Sequence, residues 1–408
     1  MEDKAVKKRT NKYVILGILF LSWVIGNFDK VAINVAAIPI TKEFDLTPQY
    51  MGMIMSAFFL SYSVMTLLGG ILADKYGHRK VLTTIMGLWS GFTALTGAAW
   101  NFYSMVAIRF IFGAAEGGFG PASSVTVAEV FPKEQRGRAK SFLVSASVIG
   151  SGLGALVTTA LMVAYSWRMA FFVFGILGLI LTVLFYVFIR VHKGSAEEAD
   201  QAAAAAATKF SLKNVAKVPM VLQLGLIYFG AGVVNWGLTS WMPSYWVNVR
   251  GLSMLKMGAV MALPAIAMFV FMQVSGFILD KYAAGREKWV LLAGALGVAL
   301  FIYLMMGAST INEAIIYSVL AFTCMAFISS TVFVLPLKYL PMGMIGSATG
   351  FINFMQQVAG IIAPTVMGFL LTRFAGSYVP VFYFVIGSVV FSAVIALLIK
   401  TKAGVQNA

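Results

Sequence analysis

YVILGILFLSWVIGNFDKVAINVAAI, residues 13–38, carries only two charges, and they are adjacent: Asp29 and Lys30. Coiled at ~1.5 Å per residue, this run exceeds the roughly 30 Å of a bilayer's hydrocarbon core. Eleven further apolar blocks follow, at 50–73, 80–99, 103–127, 140–163, 168–190, 219–247, 255–279, 289–307, 311–334, 346–371 and 378–399. The 408-residue chain is 60% hydrophobic and 11% charged, far from the soluble average of about 25% charged. Only helices and closed barrels satisfy their backbone groups in lipid, and blocks this long and continuous are helices rather than barrel strands. They are too many and too evenly spread for a secretion signal. An all-α membrane protein of twelve transmembrane helices is predicted.

The net charge of +15 stops pointing to nucleic acid once the charges are located. Twelve crossings put both termini on one side. Of the 30 Lys and Arg, 23 fall on that side, including the basic loop from Lys133 to Lys140. Five lie opposite (Lys42, Arg168, Arg250, Lys256, Arg373), and Lys30 and Arg109 are embedded. The positive-inside rule then makes both termini cytoplasmic, with the basic loops against anionic lipid. The single cysteine, Cys324, excludes an internal disulfide framework and thiolate clusters, and reads as a small apolar side chain. No cofactor, metal or enzymatic constellation is expected, and His78 and His192 are loop residues. The expected setting is a monomer crossing the plasma membrane many times.

The longest polar interruption, HKGSAEEADQAAAAAATKFSLKNVAKVP at 192–219, splits the blocks six and six. It defines an amino-terminal bundle (1–191), a cytoplasmic linker (192–218) and a carboxy-terminal bundle (219–408). The halves resemble each other. GGILADKYGHRK (69–80) follows the second block and SGFILDKYAAGREK (275–288) the eighth, placing Asp74 and Asp280 206 positions apart. The same displacement carries Asp29 onto Asn235 and Gly154 onto Gly360. Such a duplication predicts two six-helix bundles related by a pseudo-twofold axis, with a ligand bound near the midplane between them.

Among 15 acids, Asp29 and Glu116 are the two embedded in helices, and they are matched by Lys30 and Arg109. Each such charge costs at least ~2.5–3.5 kcal/mol at mid-helix on an insertion scale. Four unpaired would cost about as much as a protein's whole net stability. They must face the interior and find partners. Buried ion pairs stabilise poorly compared with apolar packing, so a purely structural role explains them badly. Arg109 and Glu116 are seven apart, about 10 Å along one helical stripe, too far for a simple i,i+4 pair. Asp29 and Lys30 point ~100° apart. Each helix thus offers one acid and one base, and partners can change with protonation. Burial opposes a carboxylate's charge while a nearby cation favours it, so a carboxyl balanced between them can load and release a proton. Asp29 and Glu116 are the candidate proton carriers; Lys30 and Arg109 are candidates for an anionic substrate.

Neutral recognition is expected from the second half: Tyr228, Asn235 and Trp236 in block seven, Ser329, Ser330 and Thr331 in block ten, and Asn353, Gln356 and Gln357 in block eleven. Amides and hydroxyls suit a polyol, although in membranes such groups also bond neighbouring helices. Glycines crowd blocks four, five and eleven, where small residues let helices approach, and Pro121, Pro243, Pro264 and Pro364 can bend their helices. No strand precedes the glycines, so a phosphate-binding loop is excluded. In the loop after block two, Asp74 is expected to cap or pair across the halves as a gate, with Arg79, Arg136 and Arg138 as partners and Asp280 as its repeat.

GGILADKYGHRK resembles the loop signature of the major facilitator superfamily, with His78 where Arg is usual, and RFIFGAAEGGFGPASS (109–124) resembles its fourth-helix pattern. NFDK (27–30), RFIFGAAEGG (109–118), SWRMAFFVFG (166–175) and NWGLTSWMPSYW (235–246) resemble the anion:cation symporter family within it. That family includes bacterial galactonate and hexuronate permeases, sialin and vesicular glutamate transporters. The resemblance implies proton coupling through Asp29 and Glu116, carboxylate binding at Lys30, where galactonate-type members carry Arg, and a binding position at Tyr62. The expected function is proton-driven import of a small organic anion, a sugar acid such as an aldonate or hexuronate. An organic-phosphate antiporter would want central cations without matching acids. A drug/proton antiporter would carry Gly-Pro in the fifth helix, and SVIGSGLGAL (147–156) has no proline. A sensor or scaffold on the same fold would tolerate neutral residues at Glu116.

Overall fold

Some helix starts follow from local side-chain caps. Asn11 accepts from Tyr13 N at the head of α1 (Lys12–Glu43). Thr47 caps α2 (Pro48–Tyr76), with Pro48 supplying a preset φ in its first turn. Reciprocal capping boxes, Asn101 with Ser104 and Thr310 with Glu313, open α4 (Phe102–Gly117) and α11 (Ile311–Tyr339). The remaining helices are α3 (His78–Gly97), α5 (Phe119–Val130), α6 (Lys133–Ala164), α7 (Trp167–Phe188), α8 (Pro219–Ser244), α9 (Met254–Lys281), α10 (Glu287–Met306), α12 (Met342–Arg373) and α13 (Val379–Leu398). A π-turn, Tyr245–Val249, extends α8. This is a computed structural model describing residues 11–188, 218–283 and 285–399. The side chains of Asp74 and Asp280, and linker residues 192–217, lie outside the described residues.

Among the described residues nine helices are long and apolar enough to cross a membrane. With α2, α3 and the pair α4–α5 they make the twelve crossings. The fourth predicted block is broken at Gly117–Gly118. Pro121 has no N–H for the Gly117 carbonyl and its ring crowds that carbonyl, while two glycines hold a helix weakly. Glu116 therefore sits in the last turn of a half-helix.

The packing repeats as the sequence does. In the first half α1 packs on α6 and α7, α2 on α4, and α3 on α4 and α7. In the second, α8 packs on α12 and α13, α9 on α11, and α10 on α11 and α13. Shifted by one six-helix unit, these are the same pairings. One arginine in each half fastens carbonyls at the end of the third helix of its bundle: Arg168 donates to Ala99 O (2.7 Å) and Gly97 O (2.9 Å). Arg250 donates to Met305 O (2.9 Å) and Ala308 O (2.8 Å). Ala99 and Met305 coincide in the repeat, and both lie at the carboxy-terminal end of their helix, where a cation is favoured. Arg168 also pairs with Glu43 at 2.5 Å, and Trp167 Nε1 donates to Glu43 at 2.7 Å, so the SWRMAFFVFG stretch begins with a clamp on α1.

The halves meet through α2 on α12, α6 on α9, and α1 on α8. Thr365 Oγ1 donates to Ser56 Oγ (2.8 Å), and Gln49 N donates to Thr372 Oγ1 (3.0 Å). Both bonds lie toward the end carrying the α1–α2 and α8–α9 connections, termed the distal end. Toward the terminal end, where the described chain starts and stops, several side chains lie outside the described residues.

Close approach of α2 and α4 depends on Gly113, where a built methyl would overlap the carbonyl of Phe58 and the hydroxyl of Ser61. Gly113→Ala is expected to destabilise the fold by roughly 1–3 kcal/mol, the range for overpacking, seen as a lowered unfolding temperature in detergent. An unchanged temperature would show that α2 can move away freely.

Candidate functional site

Tertiary packing resolves the four embedded charges into two ion pairs bridging α1 and α4. Arg109 Nη1 contacts Asp29 Oδ1, and both side chains are 1% exposed. Lys30 Nζ lies 2.8 Å from Glu116 Oε1; Glu116 is 4% exposed, whereas Lys30 is 16% exposed. Of the four, Lys30 is the one whose side chain reaches open space. Neither acid is saturated: Asp29 Oδ2 and Glu116 Oε2 are buried and have no hydrogen-bond partner among the described residues, as does Arg109 Nε. Gly26, one turn before Lys30, leaves room for the carboxylate; a methyl there would stand 3.2 Å from Glu116 Oε1.

Aromatic faces complete the coordination of both cations. Lys30 Nζ lies 4.8 Å from the Tyr62 ring centroid and 5.9 Å from that of Phe58. Arg109 lies 4.5 Å from Phe112 and 5.3 Å from Phe58. Such cation–π contacts are worth up to ~2 kcal/mol when desolvated. Phe58 and Tyr62 are four apart and share one helix face. Sequence reasoning singled out Tyr62 and missed Phe58, although that spacing could have found it. Phe58 touches Phe59 (5.0 Å), and Phe59 touches Trp236 of α8 (4.7 Å). Two aromatic contacts thus link the charged cluster of the first half, through Phe58, to the second.

The predicted second-half residues divide. Trp236 Nε1 and Gln357 Oε1 are buried without a partner among the described residues, and Asn353 is half-buried. Tyr228 is buried, edge-on to Phe333 (5.2 Å), with its hydroxyl interacting with Ser329 and Gln356. Ser330 Oγ donates to Met272 O of α9 (3.4 Å), and Thr331 Oγ1 donates back to Phe327 O (2.7 Å). Asn235, with Ser147, Ser151, Thr239 and Ser318, lines a cavity of about 240 Å³ between the halves, bounded by α1, α6, α8, α9 and α11. The charged quartet is not in the wall of this cavity; Val31, next to Lys30, is. Of the gating candidates, Arg79 donates to Tyr186 O (2.8 Å) and Arg136 to Phe131 O (3.0 Å), both inside the first half, and Arg138 is exposed.

Two homologous six-helix bundles with buried, incompletely satisfied charges beside an inter-bundle cavity define a secondary transporter, not an enzyme. Residues 18–364 match the Major Facilitator Superfamily, and the chain belongs to that superfamily. It is 29% identical over 385 residues to a hexuronate transporter of Bacillus subtilis (strain 168), covering 90% of each chain. It is 30% identical over 390 residues to a probable sulfoacetate transporter, SauU, of Cupriavidus necator, covering 90% of this chain and 89% of that one. In fold it resembles the crystal structure of a bacterial homolog to the human lysosomal transporter Spinster in an inward-facing and occupied conformation. That likeness has a TM-score of 0.81 at 16% identity and covers 96% of this chain and 97% of the other. The chain is therefore a multi-pass membrane transporter with the fold of two pseudo-symmetric bundles.

Proposed function

We propose that this protein is a proton-coupled importer of a small organic anion, a sugar acid of the hexuronate or aldonate type. It works by alternating access in the plasma membrane, with the terminal end cytoplasmic. The observation that carries the reading is the asymmetry of the two ion pairs. Arg109 and Asp29 are sealed, whereas Lys30 is partly exposed and held by an acid that still has a free oxygen. A proton accepted by Glu116 makes a neutral carboxyl and removes the counter-charge of Lys30. The ammonium then takes the substrate's carboxylate instead. Asp29 is the second proton carrier, and Arg109 serves as its counter-charge rather than as a substrate contact in this state. The relatives' named cargoes, a hexuronate and sulfoacetate, both offer a carboxylate, and a lysine serves as a point charge for either. Tyr62 orients the ammonium. Trp236, Gln357, Asn235 and Asn353 supply the polar contacts that favour a polyol, while Ser330 and Tyr228 shape the wall.

The halves, 1–191 and 219–408, rock as two bodies around this site. The two hydrogen bonds at the distal end support a state in which the halves are closed there. We assign Asp74, Asp280, Arg79, Arg136 and Arg138 to the terminal gate that forms when the halves close there. The antiporter reading has no comparable support, because each embedded cation is neutralised by an acid.

The test is uptake of labelled hexuronates and aldonates by purified protein in proteoliposomes under an imposed proton gradient. Wild type should accumulate substrate only with the gradient. Lys30→Gln should weaken binding roughly 10–100-fold, the value of one hydrogen bond to a charged group. Accumulation driven by preloaded phosphate alone, or an unaltered Lys30→Gln variant, would overturn the reading.

A further inference from the structure

Lys140 belongs to a basic loop by sequence, yet the structure places it two turns inside α6 and half-buried. It has no carboxylate partner among the described residues. Its Nζ lies 5.0 Å from the Trp23 ring centroid of α1 and 3.3 Å from the carbonyl of Gly120 at the start of α5. That carbonyl is already served by the hydroxyls of Ser123 (2.8 Å) and Ser124 (2.9 Å). Diverting the ammonium would leave it satisfied. Arg168, by contrast, is held by Glu43 and by two carbonyls that lack other side-chain donors. A cation at this depth is costly, and here the protein compensates it with only an aromatic face and one long, shared bond.

Its position aligns with the transport path. Lys140 is seven residues from Ser147 and eleven from Ser151, so all three share one face of α6, and both serines line the inter-bundle cavity. Trp23 is likewise seven residues before Lys30 on α1. Lys140 therefore stands about 10 Å, two helical turns, nearer the terminal end than the Lys30–Glu116 pair.

We propose that Lys140, backed by Trp23, is a second, transient anion site that receives the substrate's carboxylate between Lys30 and the terminal-side opening. The inference rests on the anion-transport reading above. A loosely held cation draws the anion off Lys30 as Glu116 loses its proton, then releases it. The occupant is the same carboxylate that Lys30 binds, one site at a time.

The experiment compares transport of the labelled acid in right-side-out and inside-out proteoliposomes. Lys140→Gln should raise KM from the terminal side about tenfold and leave KM from the distal side within twofold; Lys140→Arg should restore the terminal-side value. Equal effects on both sides, or none, would overturn the relay. Should Lys140→Gln fold poorly, Trp23→Leu in wild-type Lys140 background must show the same sidedness in weaker form, or the proposal fails. If wild type transports no acid at all, the anion reading itself fails, and that result is separate from any sidedness.

Discussion

Glu116→Gln is expected to abolish proton-driven accumulation while sparing exchange of substrate across the membrane. The amide copies the size and neutrality of the protonated carboxyl, so Lys30 is released permanently and can bind the anion at any pH. What disappears is the link between proton and substrate. One pH unit corresponds to about 1.4 kcal/mol per proton, so wild type under a one-unit gradient should concentrate its cargo roughly tenfold per coupled proton. The variant should equilibrate at a ratio near one, yet still catalyse counterflow of labelled for unlabelled acid. The pH dependence has a definite sign. A proton on Glu116 favours the anion at Lys30, so wild-type apparent affinity should strengthen as pH falls, and the Gln variant should lose that slope. Retained accumulation in Glu116→Gln would remove the acid from the coupling step.

Arg109→Gln is expected to damage the protein itself. Asp29 and Arg109 are each 1% exposed, and removing one partner leaves the other charged, buried and without its bond. Breaking a buried pair this way costs about 3–5 kcal/mol, whereas replacing both members with neutral groups can be close to neutral. The single variant should give a low yield of folded protein and a clearly reduced unfolding temperature in detergent. The double variant Asp29→Asn/Arg109→Gln should regain most of that stability. It should remain impaired in transport, because a proposed proton carrier and its counter-charge are both gone. If the double variant is as unstable as the single one, the pair is not an isolated electrostatic unit and Arg109 holds α4 through its aromatic contacts with Phe58 and Phe112 instead.

Much of this was legible in the chain. The length of the apolar blocks, the cost of charge in lipid and the 206-residue repeat between Asp74 and Asp280 lead to twelve helices in two related bundles. The same cost singles out Asp29, Lys30, Arg109 and Glu116. The fourth crossing shows where such reading stops. Apart from Arg109 and Glu116 its block is apolar, and hydropathy does not show that Pro121, which the sequence offers only as a bend, breaks it at Gly117–Gly118. Lys140 is a second case. Its neighbours Lys133, Arg136 and Arg138 make it look like loop at the edge of the 140–163 block, and its place two turns inside α6 emerges only once the helix is seen to start at Lys133.

The sequence by itself determined which residues must lie in the membrane and that four charges among them had to find partners, because hydration and chain length are properties of each segment alone. Only the tertiary structure decided how deeply each pair is buried. The spacing that keeps Asp29 from Lys30 and Arg109 from Glu116 already sends each acid to the other helix, and how far each pair is sealed depends on how α1 and α4 are rotated and how closely Gly26 and Gly113 let their neighbours approach. Those rotations are set by contacts between segments far apart in the chain, and from them follows the difference between a sealed pair and one whose lysine is partly exposed.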